Sequence, residues 1–261
     1  MHLLAIDTGT ETLSIGVSVC HAGTEQIWTH EGPAGAAASA SLVPAILALL
    51  AQAGVALTAL DAIVFGAGPG SFTGLRTACA VAQGLGFGAG IPLLPVDSLL
   101  AVAEDARHRA WSTQPACSVT AVLDARMDEV YVGTYYFGQG QWSVLAPPQL
   151  THPQLLELPP TTRSVQDGPW HLAGNAFGTY AEAFARSLAG GDARNAVPAA
   201  PTAQALLRLA PQLLGSGAAV PAAQALPVYI RDKVAKTTLE RNAEKSASGS
   251  AKPIGATVST P

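Results

Sequence analysis

The same strand–turn–strand pattern occurs twice in this chain, and it constrains the fold more than any other feature. Each copy has a short apolar strand, an aspartate, a tight turn and a second strand. The interval along the chain from Asp7 to Asp124 equals the interval from Gly16 to Gly133, and apolar residues coincide at the same offset. The pattern predicts a duplicated domain with a cleft between the copies; the alternative is a chance agreement between two β-hairpins.

Strands and helices alternate along the rest of the chain, as is typical of an α/β protein. Apolar runs predict strands at residues 3–6, 12–19, 25–29, 62–65, 92–96, 119–123, 129–137 and 170–173. Apolar residues at steps of three and four predict helices at residues 39–53, 73–86, 98–109, 177–188 and 202–214, with a short one at 151–158. We expect the early part of the sheet to be antiparallel and the later part parallel.

Composition restricts the class of protein. Only 12% of the residues are charged, about half the share in ordinary soluble domains. The apolar stretches are interrupted before they reach the roughly 20 residues that a membrane-spanning helix needs, and the N-terminus lacks the basic region of a signal peptide. Three widely spaced cysteines indicate neither a disulfide framework nor a zinc site. We therefore expect a cytoplasmic protein with no membrane association.

Charge is distributed unevenly. Residues 1–230 carry 8 basic and 15 acidic side chains, a net charge of −7, whereas residues 231–261 carry 6 basic and 3 acidic ones, a net charge of +3. The larger part has no basic face that could hold a phosphate backbone, so another chain would have to bind any nucleic acid. Residues 236–261 are polar and poor in large apolar side chains, which predicts a disordered tail.

Two segments have features of an anion-binding site. The turn Asp7-Thr8-Gly9-Thr10 could cradle a phosphate with its N–H groups and hold hydrated magnesium with its carboxylate; ordinary turn chemistry is the alternative. Residues 66–76 are rich in glycine and lead into a helix whose N-terminus favours anions, but they match neither Walker A nor Gly-x-Gly-x-x-Gly. The candidate nucleotide- or phosphate-facing residues are Asp7, Thr8, Gly9, Gly68, Gly70, Ser71 and Thr73.

The equivalent turn of the second copy has fewer such features. In residues 124–131, Arg126 and Met127 stand where the first copy has its glycine-containing turn, and acids follow them. The segment is either a degenerate site or a solvated charged hairpin. The six histidines have no metal-binding spacing, and no Gly-x-Ser-x-Gly is present. We expect no catalytic residue and no metal site in this chain.

The second helix has a face of small residues, and the leucine-rich first helix offers apolar area beside it. Packing within the domain and contact with a partner protein are the two interpretations. Arg76 lies in the first helical turn, where a cation opposes the helix dipole, so it answers either a nearby carboxylate or a partner. The candidate interface residues are Leu42, Ile46, Leu49, Leu50, Arg76, Ala78, Ala82 and Gly86.

Four blocks of sequence resemble the TsaB (YeaZ) family. They are residues 4–8 (Leu-Ala-Ile-Asp-Thr), residues 68–76 (Gly-Pro-Gly-Ser-Phe-Thr-Gly-Leu-Arg) with 82–85, residues 124–131 (Asp-Ala-Arg-Met-Asp-Glu-Val-Tyr) and residues 227–231 (Pro-Val-Tyr-Ile-Arg), in the family's order. The resemblance implies a duplicated actin/Hsp70/sugar-kinase-like (ASKHA) α/β fold. It would have two subdomains, residues 1–111 and 116–235, with mixed sheets flanked by helices.

The resemblance also implies a function. Members are non-catalytic subunits that pair with the catalytic homologue TsaD and work with the ATPase TsaE. Together these proteins transfer a threonylcarbamoyl group to the adenosine beside the anticodon of tRNAs that read ANN codons. ATP and magnesium are used by the complex, whereas this chain would bind no cofactor tightly and would reach tRNA only through the complex.

The family's pairing surface corresponds here to the first two helices, either for a heterodimer with TsaD or for a homodimer of the isolated chain. Many members have a histidine shortly before the first helix, where residues 38–41 of this chain read Ala-Ser-Ala-Ser. Any role of that histidine is therefore in doubt here.

Two other functions remain as alternatives. A small ATPase or kinase would use Asp7 and residues 66–74, and it predicts tight ATP binding by the isolated chain. A peptidase, a label sometimes attached to this family, has no support in the sequence because neither a nucleophile nor a metal-ligand set is present.

Overall fold

Strands and helices follow the predicted alternation in the computed structural model, which describes residues 1–156, 168–187 and 195–231. The first half contains β1 (His2–Asp7), β2 (Thr12–His21), β3 (Thr24–Pro33), α1 (Ala36–Ala53), β4 (Ala62–Gly68), α2 (Phe72–Ala89), β5 (Leu93–Asp97) and α3 (Ser98–Ala110). The second half contains β6 (Ala116–Arg126), β7 (Glu129–Gly138), β8 (Gln141–Thr151), β9 (Trp170–Gly174), α4 (Ala176–Thr179), α5 (Ala181–Ser187) and α6 (Ala203–Gly215).

The two halves repeat one strand arrangement. Sheet 1 has the order β3-β2-β1-β4-β5, and sheet 2 has the order β8-β7-β6-β9. β1 is antiparallel to β2 and parallel to β4, and β6 is likewise antiparallel to β7 and parallel to β9. This confirms the duplication predicted from the repeated turn. Each sheet comes from one predicted half, while the subdomain boundaries at residues 111 and 116 stay a prediction.

Helices α3 and α6 lie between the sheets; α3 packs against both sheets, and α6 packs against sheet 1 and α3. Successive side chains of β1 point to opposite faces, so Leu3 and Ala5 join the core around α3 and α6, whereas Leu4 and Ile6 join the core under α1 and α2. Gly16 of β2 allows α6 to approach closely, since a Cβ atom there would lie 2.9 Å from the Leu207 side chain. A third, smaller core lies between sheet 2 and the helices α4 and α5.

Several element ends follow from local capping. The Asp97 carboxylate accepts hydrogen bonds from the first N–H groups of α3, and the Thr202 hydroxyl does the same for α6. α1 ends at Gly54 and α2 at Gly90, both with left-handed backbone, which glycine adopts without steric strain. β4 extends beyond the predicted residue 65 to Gly68, which pairs with Asp97 of β5.

The second half differs from the prediction in three places. β8 was not predicted, because it contains Pro147 and Pro148, which are tolerated only because β8 is an edge strand. The helix predicted at residues 151–158 is a single 3₁₀ turn, Pro153–Leu155, in its described part. The helix predicted at residues 177–188 is divided into α4 and α5, and the break occurs at Tyr180, whose hydroxyl is bonded to Asp124.

Three predictions fall partly or wholly outside the described residues: positions 157–158, position 188 and the tail at 236–261. Within the described part of the chain, no helix has both the length and the apolar character needed to cross a membrane.

Candidate functional site

Asp7 lies at the carboxyl end of β1 and is fully buried. Its Oδ1 accepts a hydrogen bond of 2.9 Å from the Gly9 N–H, whereas its Oδ2 has no partner among the described residues. Burial raises the pKa of Asp7 to about 7, and the bond from Gly9 opposes this shift only in part. On the neighbouring strand, any side chain at Gly66 would overlap Asp7 Oδ2, so glycine is required there.

The first turn and the glycine-rich loop pack directly against each other. The Thr8 hydroxyl donates a 2.6 Å hydrogen bond to the Gly74 carbonyl, and the Ser71 N–H donates one of 2.7 Å to the Gly9 carbonyl. A Cβ atom at Gly70 would lie 2.7 Å from the Gly9 carbonyl oxygen. The glycines therefore allow close contact between two backbones, and this contact occupies the space that a phosphate cradle would need.

The predicted phosphate-facing residues thus separate into two groups. Asp7 and Thr8 are buried, and Gly9, Gly68 and Gly70 contact other parts of the chain. Only Ser71 and Thr73 are exposed, and Ser71 caps α2 by accepting a hydrogen bond from the Gly74 N–H. The residues present do not fit a hydrated magnesium ion and a nucleotide phosphate at this position. The described residues also contain no group of three His, Cys, Asp or Glu side chains suited to a metal.

An irregular segment, residues 219–230, covers the glycine-rich loop and runs along α2; we call it the strap. The Val228 N–H donates a 2.7 Å hydrogen bond to the Ala67 carbonyl, and a Cβ atom at Gly68 would overlap the Val228 carbonyl oxygen. Further along α2, the Gln83 side chain donates to the Ala225 carbonyl at 2.9 Å. The sequence marked residues 227–231 as a motif but gave no sign that they would lie on this loop.

Arg76 contacts the strap rather than a carboxylate. Its guanidinium lies 3.7 Å from the centre of the Phe72 ring, and its Nε donates a 2.9 Å hydrogen bond to the Tyr229 hydroxyl. In the part of the chain that the structure describes, the ion pairs involve other arginines. The carboxylate alternative for Arg76 therefore has no support from these residues.

An ion pair connects the turn of the second copy to the turn of the first. Arg126 forms an ion pair with Glu11 of the β1–β2 turn and a second one, at 3.4 Å, with Asp124. Arg126, Met127 and Asp128 all have left-handed backbone, which non-glycine residues seldom adopt. The turn is exposed, as a solvated hairpin would be, but it also links the two halves through Arg126.

The predicted interface side chains other than Arg76 lie in the core instead of at the surface. Leu42, Ile46, Leu49 and Leu50 of α1 are buried against sheet 1, and so are the α2 residues Ala78, Ala82 and Gly86. Of the predicted set, only Arg76 is exposed. For these buried residues the structure supports packing within the domain, because both helices direct these side chains toward the strands of sheet 1. A partner of α1 and α2 would have to contact other side chains.

The opposite faces of these helices are exposed and almost without charge. Leu47 is 53% exposed and Phe87 64% exposed, and Val43 is also exposed. Around them lie small exposed residues, namely Ala40, Ala48, Ala51, Ala80, Gly84 and Gly88. Arg76 is the one charged residue among the 36 positions of the two 18-residue helices. We call this surface the outer face of α1 and α2.

Topology and site together define the class of this protein. Each sheet joins an antiparallel hairpin to a parallel strand, and helices cover both faces of each sheet. This repeated mixed arrangement is that of the actin/Hsp70/sugar-kinase-like (ASKHA) proteins, here with packed loops at the carboxyl ends of the strands.

Comparison with known proteins gives the family. The family model described as "TsaD: tRNA N6-adenosine threonylcarbamoyltransferase" matches residues 33–239. The tRNA threonylcarbamoyladenosine biosynthesis protein TsaB of Escherichia coli is 32% identical over 90% of this chain and 96% of its own length. The corresponding protein of Haemophilus influenzae is 32% identical over 89% and 94%.

A solved structure agrees with these relatives. YeaZ from Pseudomonas aeruginosa is 36% identical and superimposes with a TM-score of 0.73 over 87% of this chain and 99% of that one. The chain belongs to the TsaB (YeaZ) family, so the resemblance found in the four sequence blocks is confirmed.

Proposed function

We propose that this chain is the non-catalytic subunit of tRNA threonylcarbamoyladenosine biosynthesis. It pairs with the catalytic homologue TsaD, acts together with TsaE and reaches tRNA through that complex. Family membership supports a role of this chain in that biosynthesis, because the related proteins are named for it. The net charge of −7 on residues 1–230 supports an indirect contact with tRNA, because a polyanion would be repelled by this part of the chain.

The outer face of α1 and α2 is the observation that supports pairing. Two neighbouring surface helices would ordinarily carry charged residues on their solvent side, whereas these expose leucine, phenylalanine and small residues. Depletion of charge and enrichment in aromatic side chains are typical of the centre of a protein interface. The same face could join two copies of the isolated chain when TsaD is absent.

The packed loops support a scaffolding role rather than catalysis by this chain. A nucleotide bound by Asp7 and residues 66–74 would have to separate the Thr8–Gly74 and Ser71–Gly9 hydrogen bonds. ATP and magnesium would then be used by the complex and not held tightly by this subunit, which we expect to act in the cytoplasm. The alternative, a small ATPase or kinase, predicts tight ATP binding by the isolated chain and a turnover that Asp7→Ala abolishes; calorimetry that shows no nucleotide binding by the intact chain would exclude it.

Pairing can be tested with one substitution on the outer face. Leu47→Glu places a charge at an exposed apolar position and is expected to weaken binding to TsaD about tenfold or more, with unchanged folding. The matched control is Leu155→Glu, because Leu155 is 66% exposed and lies outside this face. Ala82→Trp is unsuitable, since Ala82 is buried in the core and a tryptophan would disturb packing.

The biosynthetic role has its own test. Cells depleted of this chain are expected to lose threonylcarbamoyladenosine from their tRNA, measured by mass spectrometry of nucleosides. The wild-type chain and Leu155→Glu should restore it, and Leu47→Glu should restore less. Unchanged levels of the nucleoside after depletion would refute the proposed function, and equal TsaD binding by all three chains would refute the assigned face.

A further inference from the structure

Arg76 is the first Lys or Arg in the sequence and the only one before Arg107. It lies in the first turn of α2, where the helix dipole disfavours a cation. Among the described residues no carboxylate offsets this cost, as the ion pairs there involve other arginines. No carboxylate among the described residues therefore accounts for this exposed cation on an otherwise uncharged pair of helices.

The orientation of the Arg76 guanidinium is fixed from two sides. Phe72 lies beneath it at 3.7 Å, and Tyr229 accepts a hydrogen bond from its Nε. The two aromatic rings are themselves in contact, with centroids 5.0 Å apart. The terminal Nη1 and Nη2 groups have no hydrogen-bond partner among the described residues, so the side chain presents a planar pair of donors that is already oriented.

The surroundings of this donor pair are apolar and exposed. On the strap, Leu226 is 68% exposed, and Val228 and Tyr229 are exposed as well. The strap is held to the protein by the Val228–Ala67 and Gln83–Ala225 hydrogen bonds, so these side chains are presented on an anchored backbone. Arginine and tyrosine are among the residues that most often contribute strongly to binding at protein interfaces, and here the two are in contact.

We propose that Arg76 and the strap form a docking point for one Asp or Glu side chain of the partner subunit. The carboxylate would receive two parallel hydrogen bonds from Nη1 and Nη2, and apolar partner residues would cover Leu226 and Val228. The inference rests on the proposed pairing and adds the chemistry of the partner's surface: uncharged opposite the outer face, with one acidic residue at the N-terminal end of α2. A single carboxylate fits better than an RNA phosphate, because the net charge of −7 on residues 1–230 repels a polyanion.

The test measures binding of the TsaD homologue to the full chain by calorimetry at two salt concentrations. Arg76→Ala is expected to weaken binding roughly 10- to 100-fold and to reduce its salt dependence. Arg186→Ala, at an exposed arginine of α5, is the matched control and should bind like the wild type. Alanine substitution of each acidic residue on the partner's facing surface should identify one whose effect disappears in the Arg76→Ala background.

The outcomes separate this inference from the proposed function. No binding by the wild-type chain refutes the pairing itself, whereas equal binding by wild type and Arg76→Ala refutes only the docking point. Loss of tRNA affinity without loss of pairing would assign Arg76 to RNA and also refute it. If Arg76→Ala fails to fold, Arg76→Lys decides, because lysine keeps the charge but cannot form the paired bonds. That variant should bind at least about fivefold more weakly, and wild-type binding by it would overturn the proposal.

Discussion

At the scale of single residues, the environment of Asp7 differs strongly from that of an ordinary surface aspartate. Its carboxylate is buried. Neither its Oδ2 nor the nearby Ser98 hydroxyl has a hydrogen-bond partner among the described residues. A Cβ atom added at Gly66 would overlap Asp7 Oδ2 and would lie 3.3 Å from Ser98 Oγ, so the two polar atoms border the same small space. Such a site favours the protonated acid, since no cation among the described residues compensates the buried charge.

The raised pKa of Asp7 makes the stability of the chain depend on pH. Between pH 3.8, its ordinary value, and about 7, the unfolded chain has lost this proton while the folded chain retains it. The free energy of unfolding should therefore fall as pH rises through this range, by up to about 4 kcal/mol for a shift of this size. Asp7→Asn should remove most of that loss, measured by urea unfolding at pH 4.5 and 8.

Asp61→Asn supplies the comparison for this measurement, because Asp61 is an exposed aspartate immediately before β4. Its pH profile should parallel that of the wild type. A profile of Asp7→Asn that also runs parallel to the wild type would contradict the assignment of this pH dependence to Asp7.

At the scale of elements, α2 shows that glycine has two different functions within one helix. Gly74 lies against the Thr8 carbonyl, where any Cβ atom would overlap it. Gly84 faces open space on the outer face. The first glycine permits close packing of two loops, whereas the second reduces helix stability, and no contact with the described residues requires it.

This difference predicts opposite effects for the same substitution. Gly84→Ala should raise the free energy of unfolding of the isolated chain by up to about 1 kcal/mol, because alanine has the higher helix propensity. Gly74→Ala should lower it by about 2 kcal/mol or more, because the Thr8 backbone would have to move. Thermal and urea unfolding of the two variants give the comparison directly, and a change of the same sign in both would contradict this account of α2.

At the scale of the whole molecule, polar contacts as well as apolar packing join the two sheets through α3 and α6. Glu104 of α3 accepts hydrogen bonds from Arg107, from Arg208 of α6 and from the indole of Trp142 in β8. Burial alone would raise the pKa of Glu104, but the hydrogen bonds from Arg107 and Trp142 and the charges of Arg107 and Arg208 together lower it. The Tyr135 hydroxyl of β7 donates to Asp97 of β5 at 2.6 Å, which links the sheets directly.

Removing the shared acceptor should weaken this connection strongly. Glu104→Ala leaves two arginines and an indole N–H without their partner in a mostly buried site, and should lower the free energy of unfolding by about 3 kcal/mol or more. Glu182→Ala, at an exposed position of α5, should change it by less than about 0.5 kcal/mol. Equal losses in the two variants would show that Glu104 has no special role in joining the sheets.

The sequence by itself determined most of the elements and the family, because strand patterns and the spacing of motif residues are local. The periodic apolar residues gave β1, β2 and α6 nearly at their observed positions. The repeated aspartate turn predicted the duplicated topology. The sequence did not predict β8, because two consecutive prolines are typical of a loop, although an edge strand such as β8 tolerates them.

Only the tertiary structure decided which side of α1 and α2 faces the sheet and which faces solvent. Both helices are apolar or small on nearly every side, so periodicity marked Leu42 and Ala82 without showing that they are core residues and that Leu47 and Phe87 are exposed. The burial of Asp7 likewise depends on Gly66, which is distant in sequence but adjacent in the sheet. Long-range contacts of this kind depend on the packing of several elements at once, and no local pattern encodes them.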